Sequence, residues 1–418
     1  MSNSPESDGA LSGIRVLDAT QMLAGPLATT RLGDLGADVL KLESPHGEFN
    51  RTHGFEDIRV HGQMTTFLAV NRNKRSVAVD LKNPAAQEVI VDLVRSADVF
   101  IQNFRHGTAE RLGVGYEQLR KINPRLVYCS ISGYGPSGPY RDRPGQDLVV
   151  QGYSGSMFSV GSESDDPEPG ALWAADVMTG YQAAIGILAA LTARDRLGIG
   201  QKVEVDMLSI VLDAQLQEFV TYLNTGRQPQ RSAEPSAHAF IPAPYGVYRT
   251  SDGWLTLAMT PLPALGEVLD DDWLRSLSAY NDGHDHRDEV YRRIRRAFEG
   301  ENTDYWLKRC DRANVWAGPV LDYAGVATDP HVQQTGMLVE QPHGEDGQTV
   351  RTVRPPLQMS HTPPSIKRGA PILGADTAAV LAELGWSSDR IASSVKAGAI
   401  AVASQGGIAA ADHAKRGR

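Results

Sequence analysis

"GIRVLDATQMLAGPLATTRLGDLGADVLKLE", residues 13–43, decides the fold class. It opens on a short β-rich run, "GIRVLDA", passes through the helical segment "LATTRLGDLGA", and closes on a second β-rich run, "ADVLKLE". A strand, a helix and a strand in about thirty residues make a βαβ unit. The crossover obliges the two strands to lie parallel in one sheet. Working outward, "SVAVDLK", "ADVFIQNF" and "LVYCSIS" repeat the short strands, with the helical segment "PAAQEVIVDLVRSA" among them. In that segment Asn83 has the residue type of an N-cap, and Pro84 sits where the first helical residue belongs. Strands alternating with helices over residues 11–135 predict an α/β architecture on a parallel sheet.

At 418 residues the chain is long for one core, so more than one domain is expected. The segment "RQPQRSAEPSAHAFIPAPY", residues 227–245, has no periodicity and reads as a linker after a large domain over 11–226. A smaller α+β domain over 246–335 follows, opening on a β-hairpin around Ser251-Asp252-Gly253. Residues 336–395, with the helical "APILGADTAAVLAELGW", are expected to return to the first domain, and the Ala/Gly-rich 396–418 to form a flexible tail.

A formal net charge of −9 without a basic stripe argues against nucleic acid as a partner, though not against a small anion held by a few local cations. Only Cys129 and Cys310 occur, so no disulfide framework is possible and a cytoplasmic, reducing compartment is expected. The polar N-terminus lacks a signal-peptide pattern. Asp176 interrupts the longest apolar run, and the remainder, 181–193, is too short to span a bilayer, so no membrane partner is expected.

Several suggestive motifs fail on chemistry. "GYGPSG", 133–138, has dinucleotide-loop spacing, but Pro136, Pro139 and Pro144 deny it the helix such a loop must open. "GYSGS", 152–156, lacks the second glycine of a nucleophile elbow. His284 and His286 lie in a polar segment, and nothing in the sequence suggests a metal site. One residue resists dismissal. In "ALWAADVMTGYQAAIGILAALTA", residues 171–193, Asp176 is the single carboxylate among small apolar side chains. It reads as the cap of a helix beginning near Thr179, or as an ionised, poorly hydrated nucleophile beside a helix N-terminus. The helix behind it is apolar all round, as a buried helix would be.

In order and at consistent spacing, the chain resembles the class III coenzyme A transferases, a family that includes formyl-CoA transferase, crotonobetainyl-CoA:carnitine CoA-transferase and the α-methylacyl-CoA racemases. The resemblance runs through "LSGIRVLDATQMLAGPLATTRLGDLGADVLKLESP", "NRNKRSVAVDLK", "ADVFIQNFRHGTAERLG", "ISGYGPSGPY", "ADVMTGYQAAIGILAAL", "GQKVEVDML", "YGVYRTSDGWLTLA" and "APILGADTAAVLAELG". It implies a Rossmann-like large domain built from N- and C-terminal segments, a smaller central domain, and an interlocked homodimer. It implies an acyl-CoA and a carboxylic acid as substrates, with coenzyme A as cosubstrate and no tightly bound cofactor. Asp176 falls at the family's nucleophile, which passes through aspartyl anhydride and aspartyl-CoA thioester intermediates. The family's CoA contacts fall on Leu23 and Ala24, on Val79, Asp80, Leu81 and Lys82, on Asn103, Phe104 and Arg105, and on Arg111. Gln146 and Asp147 fall beside the nucleophile.

Three departures accompany the resemblance. Gln146 stands where racemases carry a proton-transferring histidine, which disfavours racemisation. "TPLPALGEVLDDDWL" replaces the glycine-run loop of formyl-CoA transferases, and Ser44 replaces their adenine-stacking arginine. A CoA transferase is thus the leading reading, with an acyl-CoA racemase or a non-catalytic CoA-binding protein as alternatives.

Overall fold

The structure, a computed structural model, describes residues 9–278, 282–343 and 347–403. The described residues divide into two compact units: 9–147, 174–210 and 335–403 form one, and 148–173 with 211–334 form the other.

The first unit is built on a sheet whose neighbouring strands run in the order β3-β2-β1-β4-β5-β6. These are β1 (Arg15–Ala19), β2 (Asp38–Glu43), β3 (Lys74–Val79), β4 (Val99–Gln102), β5 (Val127–Ser132) and β6 (Lys202–Asp206). All six are parallel. The βαβ reading of residues 13–43 therefore holds: β1 and β2 pair in register, Val16 opposite Val39, with helix α1 (Ala24–Asp34) between them.

Alternation along the central strands explains why apolar residues stand at both phases of these runs. Leu17, Leu40, Val77 and Phe100 face one side, where they meet Val89 and Leu93 of α2 (Gln87–Ser96). Val16, Val39, Val99 and Val127 face the other, where they meet Ala28 and Leu32 of α1 and Ala183 and Ile187 of α3 (Ala174–Leu197). A parallel sheet covered on both faces needs apolar residues at both phases of the period-two pattern. Asn83 caps as expected, accepting from the Ala85 N–H, although the turn it caps is a 3₁₀ turn leading into α2.

The returning segment supplies α4 (Thr377–Glu383), whose Val380 and Leu381 are buried in the α2-side core. Part of the expected tail is ordered too. Ile400–Ala401 pairs antiparallel with β3, and the Ala399 carbonyl accepts from the Asp80 N–H. The reason is that Ala399 and Ile400 are buried apolar residues closing the β3 edge. Residues 404–418 lie outside the described residues.

The second unit has a small antiparallel sheet of β7 (Gly246–Arg249), β8 (Trp254–Leu257) and β9 (Ala317–Pro319). β7 and β8 form the expected hairpin. Tyr248, Leu255 and Leu257 pack with Tyr291, Ile294 and Phe298 of the helix Arg287–Phe298. Residues 148–173 and 211–226 group with this unit, so the expected span 11–226 is divided between the two. The 227–245 segment is irregular but pinned, since Arg287 and Arg295 donate to the carbonyls of Gln230, Ala239 and Pro235.

Candidate active site

Strand order reverses direction between β1 and β4, because the chain winds outward through β2 and β3 and then returns to the other side of β1. In open parallel sheets the crevice at the carboxyl ends of such a pair is where ligands bind. The loop after β1, Thr20–Leu23, and the loop after β4, Asn103–Gly107, flank it.

The helix carrying Asp176 begins at Ala174, not near Thr179, so Asp176 lies in its first turn and is not its cap. The two readings of this residue therefore separate. Asp147 instead satisfies the exposed backbone: its Oδ1 accepts from the Asp176 N–H at 3.0 Å. Asp147 is buried and opens the helix Asp147–Tyr153. No hydrogen-bond donor among the described residues reaches the carboxylate of Asp176, which is half-buried. Burial, and secondarily the neighbouring Asp147 charge, push its pKa up from 3.8 to about 6. At pH 7 about nine-tenths of such a group is ionised. The result is an anionic oxygen poorly stabilised by its surroundings, which is the condition for a carboxylate nucleophile.

α3 meets α1 through small residues. A Cβ on Gly180 would stand 2.7 Å from the Ala24 carbonyl oxygen, so the glycine lets the start of α1 sit one helical turn from Asp176. The helix is not buried all round, in contrast to the sequence reading. Ala183, Ile187 and Ala190 face the core, while Tyr181, Ile185 and Ala189 are open to solvent in the single chain. Among the described residues α3 is the one helix long and apolar enough to cross a membrane, and its inner face is packed on the sheet.

Most of the other expected site residues fall at or just beyond the carboxyl ends of β1, β3 and β4, while Arg111 ends the short helix Thr108–Arg111 after β4 and Gln146 lies in the segment after β5, just before Asp147. Leu23 is half-buried at the start of α1, and Ala24 and Val79 are buried. Leu81 and Phe104 pack against the α2-side core. Asp80 accepts from the Lys82 N–H at 3.0 Å, turning the chain so that the Lys82 side chain is exposed. Arg105, Arg111 and Gln146 are exposed, and Arg111 donates to the Thr108 hydroxyl. The side-chain amide of Asn103 is engaged elsewhere, on the backbone of Gln21.

Sequence reasoning missed a cluster of charges beneath the β1 loop. Asp18, Lys41 and Lys74 are wholly buried, and Glu48 nearly so. Lys74 Nζ donates to Asp18 at 3.0 Å, to the Pro26 carbonyl at 3.0 Å and to Asn71 at 2.9 Å. Lys41 pairs with Glu48 at 3.0 Å and donates to the Thr20 carbonyl at 3.1 Å. Burial alone would raise the Asp18 pKa, but Lys74 and Lys41, with hydrogen bonds from Thr20 and Thr29, hold it at about 2. Burial pushes Lys74 down to about 8 despite Asp18. Lys41, although buried, is held above the ordinary lysine value by Glu48 and Asp18. The signal was present: Asp18 and Lys41 are ionisable residues inside strands that otherwise read as apolar.

Against known proteins, the family model described as CoA-transferase family III matches residues 11–377. A succinate–glutarate CoA-transferase of Agrobacterium fabrum is 36% identical over 403 residues, spanning 92% of this chain and 98% of that protein. The human succinyl-CoA:glutarate CoA-transferase is 33% identical, over 92% of this chain and 89% of its own. A crystal structure of a CAIB/BAIF family protein from Brucella suis superposes with a TM-score of 0.79 at 32% identity, covering 90% of this chain and all of that one.

Proposed function

Because this chain belongs to CoA-transferase family III, we propose that it moves coenzyme A from an acyl-CoA to a free carboxylic acid with Asp176 as the covalent nucleophile. The observation that carries the reading is the Asp176 carboxylate itself, half-buried in the first turn of α3, without a donor among the described residues, and raised to about 6. One carboxylate oxygen attacks the thioester carbonyl and the CoA thiolate leaves, giving a mixed anhydride. The thiolate then attacks the aspartyl carbonyl, forming the aspartyl-CoA thioester and releasing the first acid. The second acid's carboxylate attacks that thioester, the thiolate leaves again, and its return to the new acyl carbonyl frees Asp176. An acyl-level intermediate keeps the thioester's free energy, which a serine ester would lose.

Dicarboxylates are the proposed substrate class, because relatives of similar length are named for succinate, glutarate and malate. Lys82, Arg105 and Arg111 are exposed cations suited to the phosphates of CoA. A homodimer is proposed as well, interlocked and with a Rossmann-like large domain. It is supported by apolar side chains left open on the single chain, among them Ile185, Leu197, Leu216 and Leu223. Free, buried Cys129 and Cys310 suit the cytoplasm. Gln146 cannot transfer protons, which weighs against racemisation.

The test is a panel of acyl-CoA donors against acid acceptors, with products identified by mass spectrometry. Formation of glutaryl-CoA from succinyl-CoA and glutarate is the expected result. Solvent deuterium entering the α-carbon, with no CoA exchanged between acids, would overturn the proposal.

A further inference from the structure

The loop after β1 is held from outside itself. Gln21 donates its N–H to Asn103 Oδ1 at 3.0 Å and receives Asn103 Nδ2 on its carbonyl at 2.8 Å. Met22 donates its N–H to Glu48 Oε2 at 3.0 Å and receives Asn50 Nδ2 on its carbonyl at 2.7 Å. All four backbone polar groups of this exposed dipeptide are therefore taken by side chains of other segments. One of these comes from the loop across the strand-order reversal. Met22 has a φ of +70°, in the left-handed region that costs an ordinary residue of order 1 kcal/mol. Glu48 is itself fixed by buried Lys41, which also holds the preceding carbonyl, Thr20. Two residues on, Ala24 lies against Gly180, one helical turn from Asp176.

An unsupported loop with a left-handed methionine would relax. With its amides saturated, this one presents the side chains of Gln21 and Met22, not backbone groups, to whatever enters the crevice. We propose that Glu48, Asn50 and Asn103 are positioning residues that mould Gln21–Met22 into the wall receiving the acyl-CoA thioester beside Asp176. For Asn103 this replaces direct contact with CoA through its amide. The proposal rests on the CoA-transferase reading above.

Asn50 is the residue to test, because it is only half-buried and carries no charge. Asn50→Ala should raise the KM for acyl-CoA about fivefold, the worth of one hydrogen bond, with kcat within about twofold. Glycine adopts a φ near +70° without help, so in a Met22→Gly background the same substitution should cost less than about twofold. An unchanged KM, or an equal cost in both backgrounds, overturns the proposal. So does a lowered urea midpoint with KM unaltered. Amide hydrogen exchange at residues 21 and 22 reads the clamp without turnover. Protection in the wild type that is lost in Asn50→Ala supports it, and equal exchange in the two overturns it, even should CoA transfer itself fail.

Discussion

Replacing Asp176 by Asn should make the protein both inactive and more stable. The carboxylate titrates at about 6 in the folded chain against 3.8 for the free side chain. Folding therefore binds a proton more tightly than the unfolded state does. Below pH 3.8 both states are protonated and ionisation costs nothing. Between 3.8 and about 6 the unfolded chain ionises first, so stability falls as pH rises, and above that window the loss is constant. At 1.36 kcal/mol per unit, the charged form costs the fold about 2–3 kcal/mol at pH 7. Asn has nearly the same shape and no charge, so it escapes that cost. Urea unfolding of the two proteins, followed from pH 4 to pH 8, should give equal midpoints near pH 4. The Asn variant should then pull ahead up to about pH 6 and hold a constant lead above it. An Asn variant less stable than wild type at pH 7 would refute the reasoning, because a carboxylate that stabilises the helix end would behave in that way.

The acid limb of kcat/KM should fall below about pH 6, since protonation removes the nucleophile. Asp147→Asn keeps an acceptor for the Asp176 N–H but removes the like charge, so the limb should move to lower pH in rate profiles of that variant. Gly180→Ala should cost about 1–3 kcal/mol in urea unfolding and impair transfer, because its Cβ would meet the Ala24 carbonyl at 2.7 Å. Lys74→Met strands Asp18 as a buried charge with Lys41 as the remaining nearby cation, and should cost about 3–5 kcal/mol, seen as loss of soluble protein or a much lower urea midpoint. Lys82→Ala and Arg111→Ala should each raise the KM for acyl-CoA with little change in kcat, the kinetic sign of lost ground-state binding.

The sheet was legible because both phases of its strand pattern are apolar, a signature that local sequence carries in runs such as "RVLDA" and "DVLKLE". The hairpin at 250–253 was legible from its turn residues, which stand between two β-rich runs that each bury alternate side chains. The start of α3 was not. The residues just before Ala174, Ala171 to Trp173, carry no N-cap type, Asp176 itself points to a later start, and the residue that accepts from its N–H is Asp147, twenty-nine positions upstream. Composition hid the open face of α3 as well, since Ile185 outside and Ile187 inside are the same residue type. The clamp on Gln21–Met22 was beyond the sequence altogether. Its three side chains come from residues 48, 50 and 103, and no local spacing relates them. The return of Ile400 to the sheet edge was masked by its Ala/Gly-rich surroundings.

The central claim is that the Asp176 carboxylate becomes covalently acylated. Incubating the wild-type protein with succinyl-CoA and hydroxylamine, then digesting it for peptide mass spectrometry, tests it most directly. The account predicts loss of transferase activity together with a hydroxamate on residue 176, dependent on the thioester and missing from Asp176→Asn. An unmodified Asp176 in a protein that still moves CoA between acids, or transfer by the Asn variant, would contradict it.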